Sequence, residues 1–304
     1  MFCPNPAPML ENLKIAEEYD GFLFLAESVR NPPALRPHHH LELELNLVAA
    51  GSITYVLRGQ RFTFDRGTLL WLFPDQEHQL VDRTPRAAYY VAVFKPDLIE
   101  RACRGERYAG LRERDFSIDG VLHAKLGIED FDLLRRIMDG IVAEGMDPDL
   151  LNREAGFGLS PGFSFRHKDP DWLNAGLRHL LLQSWRLQQE SGETAGRVSL
   201  HPAVQKALDY LNENDEAASV SSLAQHCGVS QAYLSRVFHR QIGVPLNRYR
   251  NSLRLSRFWE AYRDRRTSTL LDAVLTAGFG SYAQFYRVFK EAYGQGPRDA
   301  GLRK

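Results

Sequence analysis

The chain has 304 residues, enough for two ordinary domains, and its 44% hydrophobic and 25% charged content is that of a folded globular protein. No apolar run reaches the length of a membrane span and no secretory apolar segment follows Met1. Cys3, Cys103 and Cys227 are too scattered for a disulfide framework or a metal set, so a cytoplasmic protein is expected.

The net charge of zero conceals an asymmetry. Residues 197–304 carry 16 Lys and Arg against 9 Asp and Glu, and the remainder 22 against 29. A basic C-terminal third beside an acidic N-terminal part is what a nucleic-acid-binding domain joined to another domain would have.

From Leu23 to Lys95 the hydrophobic period is two. The segments LELELNLV, SITYVLRG, RFTFD, GTLLWLFP and AAYYVAVF read as short strands, with turns at Arg58-Gly59-Gln60 and Asp65-Arg66-Gly67. Many short strands followed by helices predict a β-barrel or jelly roll, of which the cupins are one form. Within RPHHHLELELNLVAAG, from Arg36 to Gly51, strand alternation puts Leu41, Leu43, Leu45 and Leu47 on one face. His38, His40, Glu42, Glu44 and Asn46 fall on the other, and His39 joins the leucine side as a surface or packing residue.

Two amphipathic helices follow, IEDFDLLRRIMDGIV and WLNAGLRHLLLQSWRLQQ. Residues 145–172 between them are rich in Gly, Pro and Asp, have no period, and suggest no role. In the second helix Leu173, Leu177, Leu180, Ser184 and Leu187 follow a 4-3-4-3 spacing. This seam either packs on its own barrel or joins two chains. The polar stretch from Gln188 to Ser199 reads as a linker. The expected organisation is a β and α domain over 1–190, a linker over 191–199 and an all-α domain over 200–304.

The last third repeats itself. HPAVQKALDYLNEN opens it as a helix with Pro202 near its start. In SVSSLAQHCGVSQAYLSRVFHRQIG, Leu223, Ala224 and Cys227 form an apolar face, Gly228 permits a turn, and Ser230 caps a helix bearing Tyr233, Leu234, Val237 and Phe238. STLLDAVLTAGFGSYAQFYRVFKEAYG repeats this pattern, with Gly278 at the turn, Ser281 opening the helix, and Phe285, Val288 and Phe289 along it. A single helix over Leu246 to Asp264 can join the two units. Each is a helix-turn-helix, and two held about one DNA turn apart (~34 Å) would read successive major grooves. Gln231, Ser235 and Arg236 in the first unit, and Tyr282, Gln284 and Arg287 in the second, are polar residues expected to face outward. Arg and Gln suit guanine and adenine edges, while Ser230 and Ser281 suit phosphates.

These two segments resemble the helix-turn-helix signatures of the AraC/XylS family of transcription regulators. The resemblance covers about 100 residues and implies a sequence-specific regulator binding double-stranded DNA. It also implies an N-terminal cupin-like domain that senses a small-molecule effector, homodimerisation through the second amphipathic helix, and activation through RNA polymerase as the commoner mode. Ala232 and Ala283 match family DNA-contact positions, where they offer a methyl. Ala273-Val274 departs from the usual Ile-Ala, and Ala300-Gly301 from the usual Tyr-Arg.

The barrel resembles metal-binding cupins in its histidines. His38-x-His40-x-x-x-Glu44 with Gly51 matches their first motif; Gly67, Pro74 and His78 match the second in part, with Gln76 replacing a glycine. The matching positions for one divalent ion are His38, His40, Glu44 and His78, a donor set suited to Zn, Ni, Fe or Mn. Either an ion, a polar effector or a structural polar cluster would satisfy these groups. A metal-dependent cupin enzyme fused to a DNA-binding module is the competing function, but no acid, base or substrate clamp stands out, and a non-enzyme is expected.

Overall fold

The structure is a computed structural model. It describes residues 9–10, 13, 15–27, 37–57, 60–112, 121–145, 165–194, 200–213, 219–263, 269–293, 296–298 and 302. The turn expected at Arg58-Gly59, most of the irregular stretch 145–172 and the departure at Ala300-Gly301 lie outside these residues.

The N-terminal part is a pair of facing sheets. Eleven strands are described: β1 (Met9–Leu10), β2 (Gly21–Glu27), β3 (His38–His39), β4 (Leu43–Ala50), β5 (Ser52–Leu57), β6 (Gln60–Asp65), β7 (Thr68–Leu72), β8 (His78–Arg83), β9 (Ala88–Phe94), β10 (Leu122–Lys125) and β11 (Gly192–Thr194). One sheet runs β1-β3-β8-β5-β6 and the other β11-β10-β7-β4-β9-β2. The helices of this part are α1 (Pro96–Ala102), α2 (Ile128–Val142) and α3 (Pro170–Ser191).

The histidine-leucine stretch is not one strand. It breaks at His40–Glu42, so β3 belongs to the five-stranded sheet and β4 to the six-stranded one. Leu41, expected on the leucine face, sits in this break and is 54% exposed. From Leu43 onward the alternation holds. Leu45 lies opposite Trp71, whose ring meets Trp185 of α3 edge-on at 5.4 Å. The Leu43, Leu45 and Leu47 face therefore turns outward beneath the helices, and Glu44 and Asn46 turn inward between the sheets.

Strand β8 escaped the sequence reading, as did β10 and β11. The segment HQLVDR shows no apolar alternation because both of its faces are buried against polar as well as apolar partners. Strand β11 lies within the stretch expected to be a linker and pairs with β10.

The leucine seam of α3 has one owner. Leu173, Leu177, Leu180, Ser184 and Leu187 are all buried, and the four leucines belong to the barrel's own hydrophobic core. The expectation of a dimer seam on these residues is corrected: a 4-3-4-3 stripe serves equally for packing on a sheet, and here the sheet takes it. Gly176 makes room for this, since a β-carbon there would stand 2.8 Å from the Ile141 side chain of α2.

The last third is helical: α4 (Pro202–Glu213), α5 (Val220–His226), α6 (Gln231–Ile242), α7 (Leu246–Arg263), α8 (Leu270–Thr276) and α9 (Tyr282–Tyr293). Two cores form, one around α4, α5 and α6 and one around α8 and α9. Helix α7 joins them, giving Tyr249 and Leu253 to the first and Leu255 and Phe258 to the second. Val56 of β5 and Val81 of β8 belong to the first of these cores, so the outer face of the five-stranded sheet packs on the first helical unit.

Burial of the α3 seam sets an expected outcome. Leu177→Ala should lower stability by about 2–5 kcal/mol, read as a fall in the denaturant midpoint of the N-terminal part. A charged replacement should unfold that part instead of yielding folded monomers; a variant as stable as the parent would contradict the packing.

Candidate functional site

The polar site lies between the two sheets. Glu44 comes from β4, His78 from the start of β8, and His40 from the break that links β3 to β4. All three are buried, and one donor atom from each lies within 4.8 Å of the others. His40 Nε2 is 3.2 Å from Glu44 Oε2, and His78 Nε2 is 3.9 Å from the same oxygen. Asn46, one alternation further along β4, donates Nδ2–H to Glu44 Oε1 at 2.7 Å.

The tautomers follow from the other ring nitrogens. His40 Nδ1 is 3.0 Å from the Glu42 carbonyl, and His78 Nδ1 is 2.8 Å from the Gln76 carbonyl. A carbonyl only accepts, so both Nδ1 atoms donate, and in a neutral ring Nε2 then carries a lone pair. Were both rings neutral, two such lone pairs would face one carboxylate; the 3.2 Å His40 contact is a hydrogen bond to Glu44 when His40 Nε2 carries a proton as well. His78 Nε2 is buried and makes no hydrogen bond. A proton or a cation between these atoms turns a repulsive arrangement into an attractive one. Backbone carbonyls that fix the imidazole in this way are also the usual outer support of metal-binding histidines.

Charge states agree with this picture. Burial alone would raise the Glu44 carboxyl, but hydrogen bonds from His40 and Asn46 and the nearby imidazoles hold it at about 2. Burial, reinforced by His38, pushes His78 well below the ordinary imidazole range. His78 is therefore neutral near pH 7 and contributes little charge to Glu44; the His40 and Asn46 hydrogen bonds keep the carboxylate ionised. The site at neutral pH offers one anion and at least one free imidazole lone pair.

Of the four residues expected here, three converge through their donor atoms. His38 packs its ring on His78, with centroids 4.3 Å apart, and is not part of the close set of three donors. His39 points away and pairs with Asp75. Asn46 was not expected as a site residue, although it shares the Glu44 face. Gln76, the departure from the cupin motif, is also structural here: its Oε1 accepts the Phe73 N–H and its carbonyl orients His78. Further along the interior, buried Arg83 donates to the Tyr89 hydroxyl at 2.9 Å.

The second candidate surface is the pair of reading helices. Ser219 caps α5, and Gly228 makes the turn at φ 70°. Ser230 then caps α6 by accepting the Tyr233 N–H. Leu234, Val237 and Phe238 point into the core, and Gln231, Ala232 and Arg236 are exposed with Ser235 half-buried. The Arg236 guanidinium lies 5.6 Å from the Tyr233 ring, which steadies it. The second unit repeats the design: Thr269 caps α8, Gly278 turns at φ 82°, and Ser281 accepts the Gln284 N–H. Ala283 and Arg287 are exposed, and Tyr282 and Gln284 half-buried. Gln284 Oε1 accepts the Gly280 N–H, so this side chain is already braced against the turn. Ala273 and Val274, which depart from the family pattern, are fully buried and complete the second core.

A two-sheet domain with a buried polar site, followed by two helix-turn-helix units on one connecting helix, is the build of a ligand-sensing DNA-binding regulator. Residues 26–120 match the AraC-like ligand binding domain and residues 223–301 a helix-turn-helix domain. The melibiose operon regulatory protein of Escherichia coli (strain K12) is 22% identical over 273 residues, spanning 86% of this chain and 82% of that one. The chain belongs to the AraC family of transcriptional regulators, with its ligand-binding domain first and its helix-turn-helix domain last. Among solved structures, fatty-acid-bound ToxT from Vibrio cholerae is 12% identical with a TM-score of 0.33, covering 92% of this chain and 93% of that one. The AraC-like transcriptional activator CuxR is 13% identical with a TM-score of 0.31, covering 86% and 83%. No described helix is long and apolar enough to cross a membrane.

The positive-φ turn of the first unit is testable. An added β-carbon at Gly228 would meet nothing within 4 Å, so Gly228→Ala should cost only its left-handed strain, about 1–2 kcal/mol. Denaturant unfolding would measure this; a neutral substitution would contradict the turn.

Proposed function

We propose that this AraC-type regulator is a cytoplasmic homodimer that activates transcription through RNA polymerase in response to occupancy of the site between its two sheets. Residues up to about 194 form the sensing unit, since β11 pairs within its sheet, and residues 200–304 form the DNA-binding unit. Ser230, Gln231, Ala232, Ser235 and Arg236 read one major groove. Ser281, Tyr282, Ala283, Gln284 and Arg287 read the next. The dimer contact uses a face other than the leucine seam of α3; Trp172 and Ile128, 52% and 78% exposed, offer apolar surface at the starts of α3 and α2.

The occupant that the donor set favours is a divalent cation held by His40, Glu44 and His78. The observation that carries this is the convergence of two Nε2 atoms on one carboxylate oxygen, with both Nδ1 atoms tied to backbone carbonyls. Two imidazoles and a carboxylate suit Zn, Ni, Fe or Mn. When bound, the ion supplies fixed positive charge that holds side chains of both sheets to one point. Asn46 orients the carboxylate.

Elemental analysis of untagged full-length protein should find one divalent ion per chain, lost in His40→Ala and in His78→Ala. Metal-free protein that keeps a small-molecule response abolished by the same variants would instead assign the site to an organic effector.

On the DNA side, Arg236→Ala and Arg287→Ala should each weaken binding to a selected duplex by about 1–3 kcal/mol and relax preference at their own base pairs. Unchanged sequence preference in both variants would remove the two-reader assignment.

A further inference from the structure

Strand β8 has two buried faces with different partners. His78 points between the sheets into the polar site. Gln79, the next residue, must point the opposite way, and there it meets the DNA-binding unit. Its Nε2–H donates to the Tyr249 hydroxyl at 2.6 Å, and the Tyr249 O–H donates back to Gln79 Oε1 at 2.9 Å. Gln79 is 2% exposed and Tyr249 fully buried. Val56 and Val81, from the same outer sheet face, lie in one core with Leu246, Tyr249 and Leu253 of α7.

Tyr249 continues the connection inward. Its ring packs edge-on against Phe238 of reading helix α6, with centroids 5.3 Å apart. Phe238 is fully buried, two residues from Arg236 on the exposed side of the same helix. A second contact meets the other end of α6. Gly243 closes that helix at φ 82°, and the Arg61 guanidinium of β6 lies 2.7 Å from where a β-carbon on Gly243 would stand. The sheet that carries His78 therefore seats the first reading head at two places.

We propose that Gln79 and Tyr249 form a buried latch that couples the state of the His40, Glu44 and His78 site to the first reading head. This rests on that site being occupied by a ligand in function. The pair is suited to switching because each group satisfies the other. Pulling them apart strips the buried Tyr249 hydroxyl of its donor and its acceptor together, so the contact is either made or lost, with little in between. An occupied site fixes His78 and so holds β8 in register, which keeps the latch closed. In the closed state Gln231, Ala232 and Arg236 remain exposed, so the docked head is the reading-competent one. Loss of the occupant frees His78, loosens β8 and releases the head.

The experiment is a double-mutant cycle in full-length protein. DNA affinity is measured on a duplex selected by the parent from a random pool. His78→Ala is placed in the parent and in a latch-free background, Gln79→Leu with Tyr249→Phe, where two apolar groups of similar shape replace the polar pair. In the parent, His78→Ala should weaken binding at least about fivefold, the lower end of ordinary couplings, and in the latch-free background less than about twofold. Hydrogen exchange over residues 246–253 should rise with His78→Ala in the parent alone. Equal losses in both backgrounds, no loss in either, or unchanged exchange overturns the latch. Elemental analysis of the parent and of the latch-free protein is the separate arm. Absence of metal in the parent removes the cation assignment while the mutant cycle still decides the latch. Retained metal in the latch-free protein, with lost coupling, supports both.

Discussion

The architecture depends on the two-residue period of the central strand, which sorts hydrophobic from polar side chains to opposite faces. Strand β4 sends Leu43, Leu45 and Leu47 outward and Glu44 and Asn46 inward. The leucine face is an apolar surface that water would reach unless something covered it, and α2 and α3 do so. The polar face would be costly if its groups were left unpaired, and it becomes a site because two histidines from the linking segment and the opposite sheet meet it. One alternation thus explains both why the helices dock on the six-stranded sheet and why charge survives between the sheets.

The opposite sheet solves the same problem differently. Its outer face, with Val56, Gln79 and Val81, is covered by the first helical unit instead of by helices of its own domain. The chain therefore stacks as helices, sheet, sheet and reading head. A change at the polar site is separated from the reading head by the thickness of one strand. This closeness follows from the need to cover an apolar sheet face.

The two reading heads are near copies with different support. Each relies on a serine cap, a left-handed glycine and paired aromatic or aliphatic core residues. The first shares its core with the barrel, and the second is built around Phe258, Phe279, Phe285 and Phe289 on its own side of α7. That helix has 18 residues, about 27 Å at the ordinary rise. Because it contributes to both cores, the spacing of the heads is set by a packed helix and not by a tether.

Much of this was legible in the residues themselves. The repeated helix-turn-helix pattern, its caps and turns, and the inward face bearing Glu44 are local features, set by spacing of a few residues and by backbone preferences that tertiary contacts did not override. The pairing of His40 with Glu44 was likewise legible, because they lie only four positions apart in the chain. What needed the tertiary structure was the identity of each buried stripe's partner. The spacing of Leu173, Leu177, Leu180, Ser184 and Leu187 describes a face, not its neighbour, and the barrel claimed it. The break at His40–Glu42, which carries β3 into one sheet and β4 into the other, was hidden because its residues continue the alternation on either side. The contact of Gln79 with Tyr249 joins residues 170 positions apart. A polar glutamine beside a histidine in a short segment signals nothing until the fold turns it toward a buried hydroxyl, since long-range partners are selected by the packing of whole elements and leave no local trace in the chain.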